Sequence, residues 1–195
     1  MDIYLLDQLL RGRIDEGHRI MDAGCGGGRN VAYFLQAGFD VTGLDADPQA
    51  VAAVRALAAR VAPRVAADCF RAETLASSSF PDGCAEVVVS SAVLHFARDD
   101  QDFDAMLAGS WRLLAPGGLF FARLASSIGI EQHVRPERAG SRRCRLPDGS
   151  DRYLVDEPLL MTRARELGGR LLDPLKTTVV QNQRAMTTWV MERER

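Results

Sequence analysis

The sequence predicts an α/β domain whose doubly wound, mostly parallel sheet is covered by helices on both faces, and three features carry that expectation. Short apolar runs alternate with amphipathic helical stretches from residue 18 to residue 124, the order that βαβ units require. One run, Ala85–Ser91 (AEVVVSS), is apolar almost throughout, as suits a strand buried on both faces. The chain closes on two strand-like runs joined by a short polar turn, which is hairpin geometry and ends the sheet with an antiparallel pair.

Taken in order, an amphipathic opening helix carries Ile3, Leu5, Leu6, Leu9 and Leu10. His18–Ala23 has the apolar content of a first strand and is stopped by glycines. A helix over Asn30–Gln36 ends at Gly38, and Phe39–Leu44 (FDVTGL) is the second strand. Asp47 is placed to cap a helix with Pro48 at its first position, and Ala52, Val54, Leu57 and Ala58 carry an apolar face toward Val61. A weak third strand is expected at Val65–Asp68 and the fourth at Ala85–Ser91. A helix over Asp102–Leu114 ends at Ala-Pro-Gly-Gly (Ala115 to Gly118), and Leu119–Leu124 gives the fifth strand. Past Ser126 a stretch rich in Gly, Pro and Arg runs to Gly149. A helix follows at Glu157–Leu167, then strands at Leu171–Val180 and Arg184–Met191 about a turn at Gln181–Gln183. No repeat or linker divides the chain, so residues 1–195 read as one domain with an irregular insertion or lid at about 126–155.

At 195 residues, 47% hydrophobic and 26% charged, the chain has the size and composition of one globular domain with a real core. A formal net charge of -2 supplies no overall field for nucleic acid or a membrane surface, so a small-molecule partner is expected, on a monomer or homodimer. Cys25, Cys69, Cys84 and Cys144 are widely spaced and form no Cys-x-x-Cys pair. They read as reduced thiols in a cytoplasmic protein. Asp2 and Asp7 stand where a signal peptide would be basic, and no apolar run reaches the roughly eighteen residues that span a bilayer.

The first strand runs into Asp22-Ala23-Gly24-Cys25-Gly26-Gly27-Gly28-Arg29-Asn30, where glycines let the backbone turn sharply and approach a ligand. Such a loop also occurs as a mere tight turn, and its surroundings decide. Asp45 ends the second strand about twenty residues on, where a carboxylate accepts from ribose hydroxyls, and Asp68 is expected to end the third strand in the same way. These groups would surround one crevice at the carboxyl edge of the sheet. NAD is the competing cofactor, with a pyrophosphate at the helix start and a third glycine where this chain has Arg29. Asp22 would repel a pyrophosphate but accept from an ammonium group, as in S-adenosylmethionine (SAM), which has no phosphate.

The segments DAGCGGGRN, VTGLDADP, AADC, SSAVLHF and RLLAPGGLFF resemble the ordered motifs of class I SAM-dependent methyltransferases over about Arg19 to Leu124. Within them, GCGGGRN followed by GFDVTGLD is similar to the small bacterial tellurite-resistance-type branch. The resemblance implies a Rossmann-like, seven-stranded sheet whose last strand is antiparallel, with SAM as cofactor. It places Asp22 near the SAM amino end, and Gly24, Cys25 and Gly26 along its methionine part. It places Asp45 on the ribose, Ala46 and Asp47 against the adenosine, and Asp68 with Cys69 by the adenine amino group. Gly28, Asn30 and Ser90 complete the expected cofactor set.

Methyl transfer is a displacement at a sulfonium carbon, so the protein mainly has to align an acceptor and exclude water. Ser91 and His95 follow the fourth strand at the acceptor side. His95 is the candidate base, although a structural or stacking role is the plainer reading. Neither His18 nor His133 has partners at metal-ligand spacing, so no metal is expected. The arginines of the irregular stretch read as a solvated loop or as a lid meeting an anionic acceptor, with Arg123, Arg143, Arg145 and Tyr153 as substrate candidates. The expected reaction converts SAM to S-adenosylhomocysteine (SAH) on a small acceptor. A non-catalytic SAM-binding regulatory module and an NAD-linked oxidoreductase are the alternatives.

Overall fold

A computed structural model describes residues 1–195. Helix α1 (Ile3–Leu10) starts where the Asp2 carboxylate accepts from the Tyr4 amide at 3.0 Å. Strand β1 (Arg19–Ala23), α2 (Val31–Gln36), β2 (Asp40–Asp45) and α3 (Pro48–Val61) follow as expected. Asp47 caps α3 by accepting from the Gln49 amide at 2.8 Å. The third strand lies elsewhere than expected. Ala67–Cys69 form a single 3₁₀ turn, and β3 is Phe70–Ala72. The core decides this register: Phe70 is fully buried opposite Gly43, whereas Ala66, Ala67 and Asp68 are exposed.

Strand β4 (Ala85–Ser91) is buried along nearly its whole length. Helix α4 (Asp100–Arg112) starts two residues earlier than expected because Asp99 caps it, accepting from Asp102 at 2.8 Å. Strand β5 (Leu114–Ser126) runs through the Ala-Pro-Gly-Gly segment, with an irregularity in its pairing to β4 between Ala85 and Val87. The stretch expected to be irregular forms a small antiparallel sheet of β6 (Arg135–Pro136), β7 (Arg143–Arg145) and β8 (Asp151–Tyr153). Its apolar underside, with Ile130, Cys144, Leu146 and Leu154, packs on Ala125 and Ala185. After α5 (Glu157–Glu166), the expected strand Leu171–Val180 divides into β9 (Gly169–Leu171) and β10 (Lys176–Val180). Pro174 interrupts it because proline has no N–H for the ladder. Strand β11 (Arg184–Arg193) returns through a turn in which Gln181 and Asn182 have φ of 46° and 57°, the backbone a tight hairpin needs.

The main sheet has the order β10-β11-β5-β4-β1-β2-β3, with β9 pairing the far end of β11. Its strands are parallel except β11, which is antiparallel to β5, to β10 and to the short β9. One core lies between the sheet and α4 and α5, built round Phe103, Trp111, Phe120 and Trp189. The other lies under α1, α2 and α3, round Leu5, Phe34, Val54 and Phe121. No helix is long and apolar enough to cross a membrane, and all four cysteines are unpaired. The strand order reverses between β1 and β4, so the carboxyl ends of those two strands open a crevice, the place where open α/β sheets bind ligands.

Candidate functional site

The turn after β1 forms the floor of that crevice. Gly24 has φ 101°, and a Cβ there would stand 2.3 Å from a methyl of Val93 on the opposite wall, so only glycine lets the two strand ends approach this closely. The Gly24 and Cys25 amides both donate to the Leu44 carbonyl, at 2.8 and 2.9 Å, which ties the turn to β2. Asp45 gathers the rest: its carboxylate accepts from the Gly26 amide and the Asp47 amide, each at 2.9 Å. Its carbonyl accepts from the Glu73 amide at 3.0 Å. The crevice encloses about 690 Å³ and is lined by Gly24–Gly27, Leu44–Ala46, Glu73–Ala76 and Ser91–Val93, with Arg29, Asn30, Phe96, Arg98, Asp102 and Met106 at its margins.

Asp22 lies one layer beneath this floor. Both of its carboxylate oxygens are buried and have no hydrogen-bond partner. Burial, reinforced by the charge of Asp45, pushes its carboxyl up to about 8. A buried carboxyl without a donor is a costly arrangement, and it fits a cationic group delivered into the crevice above it. Burial likewise raises the Cys25 thiol, so that side chain packs rather than reacts.

A family model described as a methyltransferase domain matches residues 21–122. The chain belongs to that family. It is 32% identical over 109 residues to an uncharacterized methyltransferase of Synechocystis, a stretch covering 55% of this chain and 47% of that protein. The chain thus spans about half the length of the curated relatives it matches. In fold it is similar to a SAM-dependent methyltransferase of Methanosarcina mazei, at TM-score 0.73 and 18% identity over 95% of this chain and 97% of that one. It is also similar to the 1,6-didemethyltoxoflavin-N1-methyltransferase of Burkholderia thailandensis, at TM-score 0.71 and 21% identity over 98% of this chain and 76% of that one. These matches carry the family and the fold and leave the tellurite-resistance branch undistinguished.

In this methyltransferase domain, the residues expected at the cofactor divide into two groups. Gly24, Cys25, Gly26, Asn30, Asp45 and Ala46 line the crevice. Asn30 also accepts the Asp2 amide at 3.0 Å, holding the start of α1 against the site. Gly28 instead lets α2 pack on α3, since a Cβ there would lie 2.7 Å from Leu57. Asp47 is exposed and serves the α3 cap. Ser90 is fully buried with an unpartnered hydroxyl and does not line the crevice. Asp68 and Cys69 are a correction. They precede β3, at the opposite end of that strand from the crevice, so Glu73, Thr74, Leu75 and Ala76 occupy the position expected of them.

A second chamber of about 370 Å³ adjoins the first, the two sharing Arg29, Ser91, Ala92 and Phe96. Arg123 and His95 line it. Arg123 pairs at 3.0 Å with Asp2, whose carboxylate also accepts from Ser91 at 3.4 Å. His95 Nδ1 accepts from the Ala125 amide at 3.2 Å. Burial, with the Arg152 charge adding, lowers the ring to about 4. The neutral imidazole therefore carries its hydrogen on Nε2 and offers a donor, not the lone pair that a base requires.

Arg143, Arg145 and Tyr153 line neither space. Arg143 pairs with Glu137 and donates to the Ala97 carbonyl, and Arg145 pairs with Asp151. Tyr153 is buried, stacked on Phe103 with its hydroxyl donating to Asp100 at 2.9 Å. The chamber is lined instead by Arg152 and Arg184, with Asp148, Leu146 and Met186, which the sequence did not single out. Arg152 is the half-buried middle residue of β8 and Arg184 the exposed first residue of β11, and no periodicity in the sequence separates either from its neighbours.

Proposed function

We propose that the domain transfers a methyl group from SAM to a small-molecule acceptor and releases SAH. The observation that carries this reading is the glycine turn at the strand-order reversal, with Asp45 holding it in the crevice and an unpaired Asp22 beneath it. When bound, SAM supplies an electrophilic methyl group on a sulfonium centre. The backbone of Gly24–Gly27 approaches closely enough to hold the amino-acid end, and Asp22 accepts the charge of its ammonium group. Asp45 keeps lone pairs beyond those used by the Gly26 and Asp47 amides and accepts from the ribose hydroxyls. The margin formed by Ala46 and Glu73–Ala76 flanks the base.

The adjoining chamber favours an enzyme over a module that only binds the cofactor, because it provides a place for an acceptor beside the crevice. No side chain need supply chemistry there. Alignment of the acceptor and exclusion of water are what a methyl displacement asks of the protein. Asp22 counts against a dinucleotide, because its unpartnered carboxyl beneath the turn suits an ammonium group and would be opposed by a pyrophosphate. We expect Asp45→Ala to weaken SAH binding about ten- to a hundredfold, roughly 1.5–3 kcal/mol, the worth of hydrogen bonds to a charged group. Calorimetry showing an unchanged Kd in a folded variant would reject the ribose assignment.

A further inference from the structure

The second chamber has a composition of its own. Arg29, Arg123, Arg152 and Arg184 line it against one carboxylate, Asp148. Arg123 is committed to Asp2, but Arg29, Arg152 and Arg184 take part in none of the ion pairs of the fold. The neighbouring arginines of the small sheet do: Arg142 pairs with Asp156, Arg143 with Glu137 and Arg145 with Asp151. Unpaired guanidinium groups gathered round a recess focus a positive potential into it, and their forked donors match carboxylate and phosphate oxygens.

The remaining lining combines apolar side chains, among them Leu146, Val180 and Met186, with the hydroxyls of Ser91, Ser150 and Thr178. Phe96 stands at the boundary with the cofactor crevice and is 56% exposed, which leaves apolar ring surface that the apolar body of a ligand would remove from water. The Arg152 guanidinium lies over the Phe96 ring, 4.9 Å from its centroid, so the cation covers one face and the rest of the ring stays open. His95 presents its Nε2 hydrogen as a further neutral donor on the same wall.

We propose that the acceptor is a small organic anion with a flat apolar body, the body packing against the exposed part of Phe96 and the anionic end held by Arg152 and Arg184. This rests on the reading of the adjoining crevice as the SAM site.

The test titrates the intact protein, with and without saturating SAH, using benzoate, phenyl phosphate and benzyl alcohol as probes. At least one anion should bind about tenfold or more tightly than the alcohol, and Arg152→Gln and Arg184→Gln should each remove most of that preference. SAH affinity should stay unchanged in both variants. Stronger binding of benzoate would make the anionic end a carboxylate, and stronger binding of phenyl phosphate would make it a phosphate ester. Equal binding of alcohol and anions, or an anion preference that survives both substitutions, overturns the proposal. Failure of SAH to bind would instead overturn the cofactor reading, and the probe titrations without SAH would still decide the anion site by the same criteria.

Discussion

Gly24→Ala should be the most damaging single substitution at the site, reducing stability by about 2–5 kcal/mol and SAH affinity by roughly a hundredfold. Two costs add. At φ 101° any L side chain is strained, and the new Cβ would sit 2.3 and 2.8 Å from the two Val93 methyls. Val93 lies two residues past the end of β4, so relief means moving the opposite wall of the crevice. Gly26 separates these contributions, since its φ is 50° but nothing lies within 4 Å of a Cβ built there. Gly26→Ala should therefore show the backbone strain alone. Adding Val93→Ala to Gly24→Ala should recover about 1–3 kcal/mol by chemical denaturation, the part due to overpacking. Equal damage from Gly24→Ala and Gly26→Ala, with no recovery, would show that close approach of the two strand ends is not what requires glycine.

The second large effect concerns Asp22 and has a definite pH dependence. Its carboxyl is raised to about 8 in the fold, against about 3.9 in an unfolded chain. Between those values the folded state keeps a proton that the unfolded state has released, so stability falls as pH rises through this window and levels off above it. Asp22→Asn lacks that proton equilibrium and keeps the shape. The ligand-free variant should melt higher than the parent protein, with the margin widening by about 1 kcal/mol per pH unit between pH 6 and pH 8. The same variant should bind SAH more weakly, because the amide offers no charge to the ligand's ammonium group. A margin that stays flat across this range would mean that Asp22 is ionised and satisfied in the free protein.

Most of the frame was legible because local signals agreed with the core. Asp47-Pro48 marked the start of α3, the unbroken apolar run marked β4, and the polar turn at Gln181–Gln183 marked the final hairpin. The crevice walls on the first two strands were legible for the same reason, since Gly24 and Asp45 sit at strand ends that the pattern locates. Asp68 and Cys69 were misplaced because β3 is only three residues long. Its position is set by burial of Phe70 against Gly43, a tertiary demand with no periodicity to reveal it. The second chamber was hardest to read. Which arginines of the small sheet face the chamber depends on ion pairing across two-residue and three-residue strands. The walls supplied by Leu146, Arg152 and Arg184 also lie beyond residues 21–122, where the family match ends.

The central claim is that this crevice holds SAM, and parallel calorimetric titrations with SAH and NAD test it most directly. One SAH should bind per chain, and at a hundredfold excess over its Kd it should stabilise the fold by about 2.7 kcal/mol. For a domain of this size that raises the melting temperature by roughly 5–10 °C. NAD should do neither. Binding and stabilisation by NAD with none by SAH would contradict the account.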